Sequence, residues 1–270
     1  MVIQQAQNLS AKRSVSMKLP KTPSTRLDGK RAFVAGASRG IGLGCAVALA
    51  EQGAHLVCAA RGMDQLNEAV QAMAAEGHSV EAVQLDVADI DAVKALFDAQ
   101  APFDVAVNSA GIARHSSALE IDFEDYQAVM DINVRGAFVL STEAARGMIA
   151  AGRAGSIIHL SSQMGHVGGI ERAVYCASKH ALEGMVKAMA IEWGPQKIRI
   201  NTICPTFIRT PLAAVTLDDP ERRAWVESKI KLGRVGEIED IMGAVAYLAS
   251  DASAMVTGTS LLIDGGWTAG

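Results

Sequence analysis

The stretch Ala35-Gly36-Ala37-Ser38-Arg39-Gly40-Ile41-Gly42 decides the fold. It follows a short apolar run at 31–36 and opens a helical stretch that passes through Ala46 and Leu49 to about Gln52. A strand that runs through glycines into a helix collects free backbone amides and the positive end of the helix dipole at one point, and anions bind there. The glycines let the backbone turn sharply and approach such an anion closely. With 25 glycines in 270 residues the Gly-x3-Gly-x-Gly spacing alone is weak, and a tight turn without a ligand would read the same. Its position between a strand and a helix gives it weight.

Working outward, the same alternation continues. Segments 55–60, 80–87, 104–108, 156–160, 198–204 and 260–263 read as further strands, and 63–75, 90–99, 123–151, 172–193 and 238–248 as helices. Strands that are apolar on both faces and separated by helix-length segments predict a parallel sheet covered on both sides. Right-handed crossovers then give a doubly wound, Rossmann-type α/β domain with a seven-stranded sheet, spanning 28–270. Ligands of such folds bind at the carboxyl ends of the strands. The charged segment 210–232, which carries Trp225, is expected to form a mobile helical lid over that edge.

Composition bounds the function without naming it. The chain is half hydrophobic and carries a net charge of −4, which gives no basic surface for a nucleic acid. No 18-residue charge-free apolar stretch and no signal-peptide core is present, so neither a membrane span nor secretion is expected. Cys45, Cys58, Cys176 and Cys204 form no CxxC pair, and free thiols in a reducing compartment, the cytoplasm, are the simplest reading. The first 27 residues hold Lys12, Arg13, Lys18, Lys21 and Arg26 and no acid, which leaves about −9 on the rest. They read as a disordered basic tail, as a start misplaced ahead of Met17, or as a targeting segment.

Chemistry should sit just after the strands. Ser161 and Ser162 follow the fifth strand; Tyr175 comes thirteen residues after Ser162, and Lys179 four beyond that, on the same helix face. Neither Tyr126 nor Tyr247 has a lysine at that spacing. A carbonyl that accepts a hydride needs a proton at its oxygen, and a phenol with a pKa near 10 serves neutral pH only if a neighbouring cation favours the phenolate. The glycine loop, the serine spacing and the Tyr-x3-Lys pair, in this order, resemble the short-chain dehydrogenase/reductase family from about Leu27 to Gly266.

The resemblance implies roles. Tyr175 would be the proton donor and acceptor, Lys179 its electrostatic partner and a ligand of the nicotinamide ribose, and Ser162 the donor to the substrate oxygen. Asn133, in Asp131-Ile132-Asn133-Val134-Arg135-Gly136, resembles the family's helix-kinking Asn that holds a water in the proton relay; a buried structural Asn is the alternative. Gly36, Ser38, Arg39, Gly40, Ile41 and Gly42 would cradle the dinucleotide phosphates. Asp86, with Val87 beside it, resembles the adenine-contacting pair, or else Asp86 caps the helix that starts near Ala88. Asn108-Ser109-Ala110-Gly111 resembles the family's Asn-Asn-Ala-Gly turn, and Asn108, Ala110 and Gly111 would let the ribose lie against the sheet. The loop from Pro205, where Thr206 replaces the family's Gly, would bring Ile208 and Thr210 to the carboxamide. Ala35 stands where the family often has Thr.

The end of the second strand reads the adenosine ribose. An acidic residue there would bond the 2′-hydroxyl and repel a 2′-phosphate, but this chain has Ala60 followed by Arg61. With Arg39 nearby, two guanidiniums can clamp a phosphate, which predicts NADP(H) over NAD(H); a solvated surface Arg61 is the alternative. The six histidines show no ligand spacing, no metal is expected, and no Gly-x-Ser-x-Gly elbow supports a hydrolase. His166 reads as a substrate contact or a loop histidine.

Loops 114–119, 163–172 and 210–230 would choose the substrate. Gln163, His166, Glu171 and Arg172 point to a hydroxylated or acidic one, such as a sugar, sugar acid or polyol, with a 3-oxoacyl thioester as the alternative. A nucleotide-binding regulatory protein without activity is the reading from another class, and the intact Asn133, Ser162, Tyr175 and Lys179 set argues against it. The resemblance also implies a homotetramer, joined through the helices at 123–151 and 172–193.

Overall fold

The computed structural model describes residues 17–270; most of the basic tail lies outside them. In chain order the strands are β1 (Arg31–Ala35), β2 (His55–Ala60), β3 (Val80–Gln84), β4 (Val105–Asn108), β5 (Gly155–Leu160), β6 (Ile198–Pro205) and β7 (Ser260–Ile263). The helices are α1 (Gly40–Glu51), α2 (Met63–Ala75), α3 (Ile90–Ala99), α4 (Phe123–Met130), α5 (Ala137–Ala150), α6 (Ala173–Trp193), α7 (Pro211–Leu217), α8 (Pro220–Lys229) and α9 (Glu239–Ala249). All seven strands are parallel, in the order β3-β2-β1-β4-β5-β6-β7. The strand order therefore reverses between β1 and β4.

Period-two alternation on apolar strands fills both faces. Ala32, Val34, Leu56, Cys58, Val107 and Ile158 pack with Leu49 of α1 and Ile241 and Val245 of α9. Phe33, Ala35, Val57, Ala106 and Ile157 face the other way, against Leu140 and Met148 of α5 and Leu182 and Val186 of α6. Each large aliphatic side chain removed from water on these faces contributes about 1.5–3 kcal/mol. Helix α1 lies so close to the start of α9 that a Cβ on Gly44 would come within 2.2 Å of Ile238 Cγ2.

Four boundaries depart from the sequence reading. Leu27 is not the end of a tail. It is 2 % exposed, its amide donates to Gln52 O at 2.8 Å, and Arg26 pairs with Asp28 beside it. The third strand stops at Gln84 instead of Val87, because Leu85 bonds Ala60 O and Asp86 Oδ1 then takes the Ala88 amide at 3.0 Å to turn the chain. Asp89, not Asp86, caps α3. The helix expected over 123–151 is broken by a π-helical turn, Asp131–Gly136, where a Cβ on Gly136 would meet Val87 O at 2.6 Å. The expected lid is two short helices, α7 and α8, with a small core of Leu217, Val226, Ile230 and Val235; Trp225 lies edge-on to Trp267 at 5.6 Å.

One buried group ties stability to pH. His159 on β5 is fully buried, its Nε2 lies 2.7 Å from Ser141 Oγ, and its Nδ1 has no partner. Desolvation, with the charge of Lys179 second, pushes its pKa from 6.5 down to about 3, so the folded protein holds it neutral. The unfolded chain protonates it first. Stability is then complete above about pH 6.5 and falls on the order of 1 kcal/mol per pH unit toward pH 3. Urea midpoints measured across this window should decline for the wild type and flatten for His159→Gln.

Candidate active site

The glycine loop lies over the switch point between β1 and β4. A Cβ on Gly42 would stand 2.0 Å from Gly36 O, and one on Gly36 would stand 2.9 Å from the Ala110 amide. Gly36 also has φ of 78°. Only glycine fits this loop. Helix α1 begins at Arg39, which makes no side-chain cap, whereas Asp89, Thr210 and Asp219 cap their helices. The first amides of α1 are thus left to an anion. This cradle fits the pyrophosphate of a dinucleotide.

Arg39 and Arg61 are both exposed. Neither side chain has a hydrogen bond or ion pair among the described residues, although Gln84 holds the Arg61 carbonyl at 3.0 Å. Asn108 turns inward, with Oδ1 taking the Ala110 amide at 3.1 Å. A Cβ on Gly40 would touch Thr210 Cγ2 at 3.5 Å, so the loops after β1 and β6 meet across the cleft. Ile208 is held there by a parallel bridge to Gly236.

Asn133 fastens the loop after β4. Its Oδ1 takes the Ile112 amide at 2.9 Å, while Nδ2 donates to Ile112 O at 2.9 Å and Ser178 Oγ at 3.1 Å. The π turn carries this side chain inward from the helix. Ser162 Oγ accepts the Met164 amide at 3.1 Å, which leaves its own proton to donate. Lys179 donates to Leu160 O at 2.8 Å, and its ammonium lies 5.7 Å from the Tyr175 ring centre.

The electrostatics differ from the expectation that Lys179 lowers the Tyr175 pKa. Desolvation raises the phenol above 10, and the groups that oppose this are the Ser162 hydroxyl and Arg172. Lys179 is spent on a backbone carbonyl, and its own burial pushes it down from 10.5 to about 8, against the pull of Cys204 and Glu183. At neutral pH the phenol therefore keeps its proton and stands ready as an acid.

Ser162 and Tyr175 line one cleft that opens to solvent at the carboxyl ends of the strands. Ile41, Pro205, Ile208 and Thr210 line it too, and so do Gln163, Arg172, His115, Thr206 and Phe207. Thr206 and Phe207 were not legible as site residues, because only the fold turns them to the cleft, whereas His115 lies in a loop already expected to meet the substrate. Gln163 is 1 % exposed and neither amide atom has a partner; the hydroxyls of Ser161 and Thr206 are likewise buried and unpaired.

His166, the candidate contact, faces Glu183 at 4.0 Å instead of the cleft. With Cys204 these two bring ligand atoms within 4.8 Å of one another, a grouping that the spacing along the chain did not suggest. Glu183 is already occupied there. It accepts from the Thr202 hydroxyl at 2.9 Å, the Ser260 hydroxyl at 2.5 Å and the Cys204 thiol at 3.4 Å. The Cys204 thiol is pushed up to about 12 by burial, so it stays protonated. All four cysteines are buried and free.

Residues 36–268 match the family model described as "Enoyl-(Acyl carrier protein) reductase". The chain belongs to the short-chain dehydrogenase/reductase family, and it is an oxidoreductase. Among its relatives is the D-erythrulose reductase of Gallus gallus, 38% identical over 91% of this chain and 98% of that protein. The 2-keto-3-deoxy-L-fuconate dehydrogenase of Xanthomonas campestris pv. campestris is also 38% identical, over 94% of this chain and 85% of that protein. A gluconate 5-dehydrogenase from Burkholderia cenocepacia, solved with NADP and tartrate, superposes with a TM-score of 0.88 at 34% identity, covering 91% of this chain and 98% of that one.

Proposed function

We propose that this chain is an NADP(H)-dependent oxidoreductase that interconverts a carbonyl and a secondary alcohol on a sugar, sugar acid or polyol. The observation that carries this reading is the convergence of Ser162, Tyr175 and the unpaired polar groups of Gln163, Ser161 and Thr206 on one cleft next to the glycine cradle. Buried amide and hydroxyl groups without partners favour a ligand that is itself hydroxylated. The named relatives that act on erythrulose, keto-deoxy-fuconate and gluconate support the same class.

The bound dinucleotide would supply or take the hydride at its nicotinamide ring. Gly36, Ser38, Gly40, Ile41, Gly42 and the first amides of α1 would hold its phosphates, with Asp86 and Val87 at the adenine end. Arg39 and Arg61 would receive the 2′-phosphate. Asn108, Ala110 and Gly111 would line the ribose, with Pro205, Ile208 and Thr210 along the carboxamide. In reduction Tyr175 gives its hydroxyl proton to the substrate oxygen. Ser162 donates a hydrogen bond to the same oxygen as its charge grows, and Lys179 keeps positive charge beside the pair.

This role for Lys179 sets a pH limit. Its ammonium is present below about 8 and lost above it, so the reductive kcat/KM should be level at neutral pH and fall roughly tenfold per unit above about pH 8. The function itself is tested by following loss of reduced-cofactor absorbance with keto-sugars, keto-acids, diketones and 3-oxoacyl thioesters. Turnover of keto-sugars or their acids is the expected result. Turnover of thioesters alone would replace this reading with the acyl-thioester one.

Assembly and location are part of the same proposal. Met130, Val134, Phe138 and Met185 form an apolar groove along α4, the π turn, α5 and α6, which suits the helix-mediated contacts of a homotetramer. Among the described residues no helix is long and apolar enough to cross a membrane. Four buried free thiols suit a cytoplasmic setting.

A further inference from the structure

We propose that Arg172 is the specificity-determining residue of this cleft and binds the carboxylate of an oxidised sugar acid, so that the substrate is a keto-aldonate or its aldonate instead of a neutral ketose or polyol. The proposal rests on the oxidoreductase reading above and narrows it.

Among the described residues every arginine side chain is held by a carboxylate, an amide oxygen or a backbone carbonyl, except Arg39, Arg61 and Arg172. The first two are exposed and belong to the phosphate end of the cofactor site. Arg172 is different. It is half-buried at the mouth of α6, it lines the substrate cleft, and no carboxylate lies within 4.0 Å of it. Glu171 precedes it in a left-handed conformation with φ of 59°, and its exposed side chain makes no pair with the guanidinium.

No other lining residue of the cleft carries a fixed charge. His115 is held toward its neutral form by burial and by the charge of Arg172. Desolvation disfavours the charged guanidinium; Tyr175, Cys176 and Glu171 offset part of this, and Arg222 adds a smaller repulsion. A half-buried cation without a partner is costly, and an anion seated against it removes that cost. The guanidinium lies over the Phe207 ring, 5.8 Å from its centre, and Phe207 stacks on Trp267 at 6.0 Å. Packing by its face leaves the N–H edge for a carboxylate, which a planar guanidinium grips with two parallel bonds.

The rest of the cleft fits the other end of such a molecule. Tyr175 and Ser162 take the reacting oxygen, and the unpaired amide of Gln163 and hydroxyl of Thr206 meet hydroxyls. A neutral ketose would satisfy those groups and leave Arg172 uncompensated.

The test compares 5-keto-gluconate with sorbose, the same keto-sugar with CH2OH in place of the carboxylate, in NADPH oxidation by wild type, Arg172→Gln and Arg172→Lys. Wild type is expected to favour the acid. Arg172→Gln should lower kcat/KM for the acid about 10²-fold, through KM, and leave sorbose within a few-fold. Arg172→Lys should recover part of the loss. Because Arg172 also acts on the Tyr175 charge, an equal fall in kcat for acid and ketose would overturn the proposal and make Arg172 a positioning residue for the phenol. A wild-type preference for sorbose would overturn it as well, with the oxidoreductase reading intact. Turnover of thioesters but of neither sugar would overturn both. Binding of gluconate and of sorbitol to the wild-type enzyme with NADP, by calorimetry, needs no variant: tighter binding of gluconate supports the carboxylate site, and equal binding overturns it.

Discussion

Tyr175→Phe is expected to lower kcat for carbonyl reduction by about 10³–10⁴-fold while NADPH affinity stays within about threefold of wild type. The substitution removes one oxygen and no apolar contact. Desolvation raises the phenol pKa, so at neutral pH the group is an acid whose proton is available to the substrate oxygen. Without it the oxygen would carry its developing charge against Ser162 alone, and proton transfer would fall to water. The glycine cradle lies on other elements, which is why cofactor affinity should survive. Stopped-flow measurement of NADPH oxidation, with cofactor binding followed by protein fluorescence, separates the two. A variant that retains more than about a tenth of the wild-type rate would remove Tyr175 from the chemistry.

The second large effect concerns the cofactor. Arg39→Ala combined with Arg61→Ala should weaken NADPH about 10²-fold and leave NADH nearly unchanged, because only the 2′-phosphate distinguishes the two. Both guanidiniums are exposed and unpaired among the described residues, and Ala60 supplies no carboxylate that would favour a 2′-hydroxyl. The advantage of NADPH should also shrink with added salt, since exposed charges are screened. Equal loss for both cofactors would mean that the arginines support the loop and do not read the phosphate.

The layout of the sheet was legible because its signal is local. Apolar runs such as 31–35 and 155–160, each followed by small or polar residues at the ligand edge, carry both the strands and the places where chemistry gathers. The Tyr175–Lys179 pair was legible for the same reason, as a four-residue spacing on one helix. Features that depend on distant contacts were not. A 3.6-residue period cannot report the π turn at Asp131–Gly136; only the resemblance of Asn133 to a helix-kinking Asn pointed to a distortion there, and the fold adds the close approach of Gly136 to the Val87 carbonyl. The packing of Trp267 against Phe207, which lines the cleft, and edge-on against Trp225 joins segments about 60 and 40 residues apart.

Side-chain direction in loops was the hardest quantity to read. His166 and Arg172 lie in one loop, and the sequence offers both to the substrate. The three-residue turn capped by Ser162 sends His166 toward Glu183, while the left-handed residue Glu171 brings Arg172 over Phe207. The direction of the Tyr175 shift failed for a related reason. Spacing gives proximity to Lys179, but only the fold tells that this ammonium is committed to the Leu160 carbonyl.

Hydride transfer between a nicotinamide and a sugar carbon in this cleft can be followed directly. Reducing 5-keto-gluconate or a keto-sugar with NADPH deuterated on the transferable position of the nicotinamide, and locating the label in the product, measures that step itself. Deuterium on the new carbinol carbon is the expected result, at a rate that collapses in Tyr175→Phe. A reduced product whose carbinol carbon carries only hydrogen from solvent, or NADPH left unoxidised by every carbonyl compound offered, would contradict it.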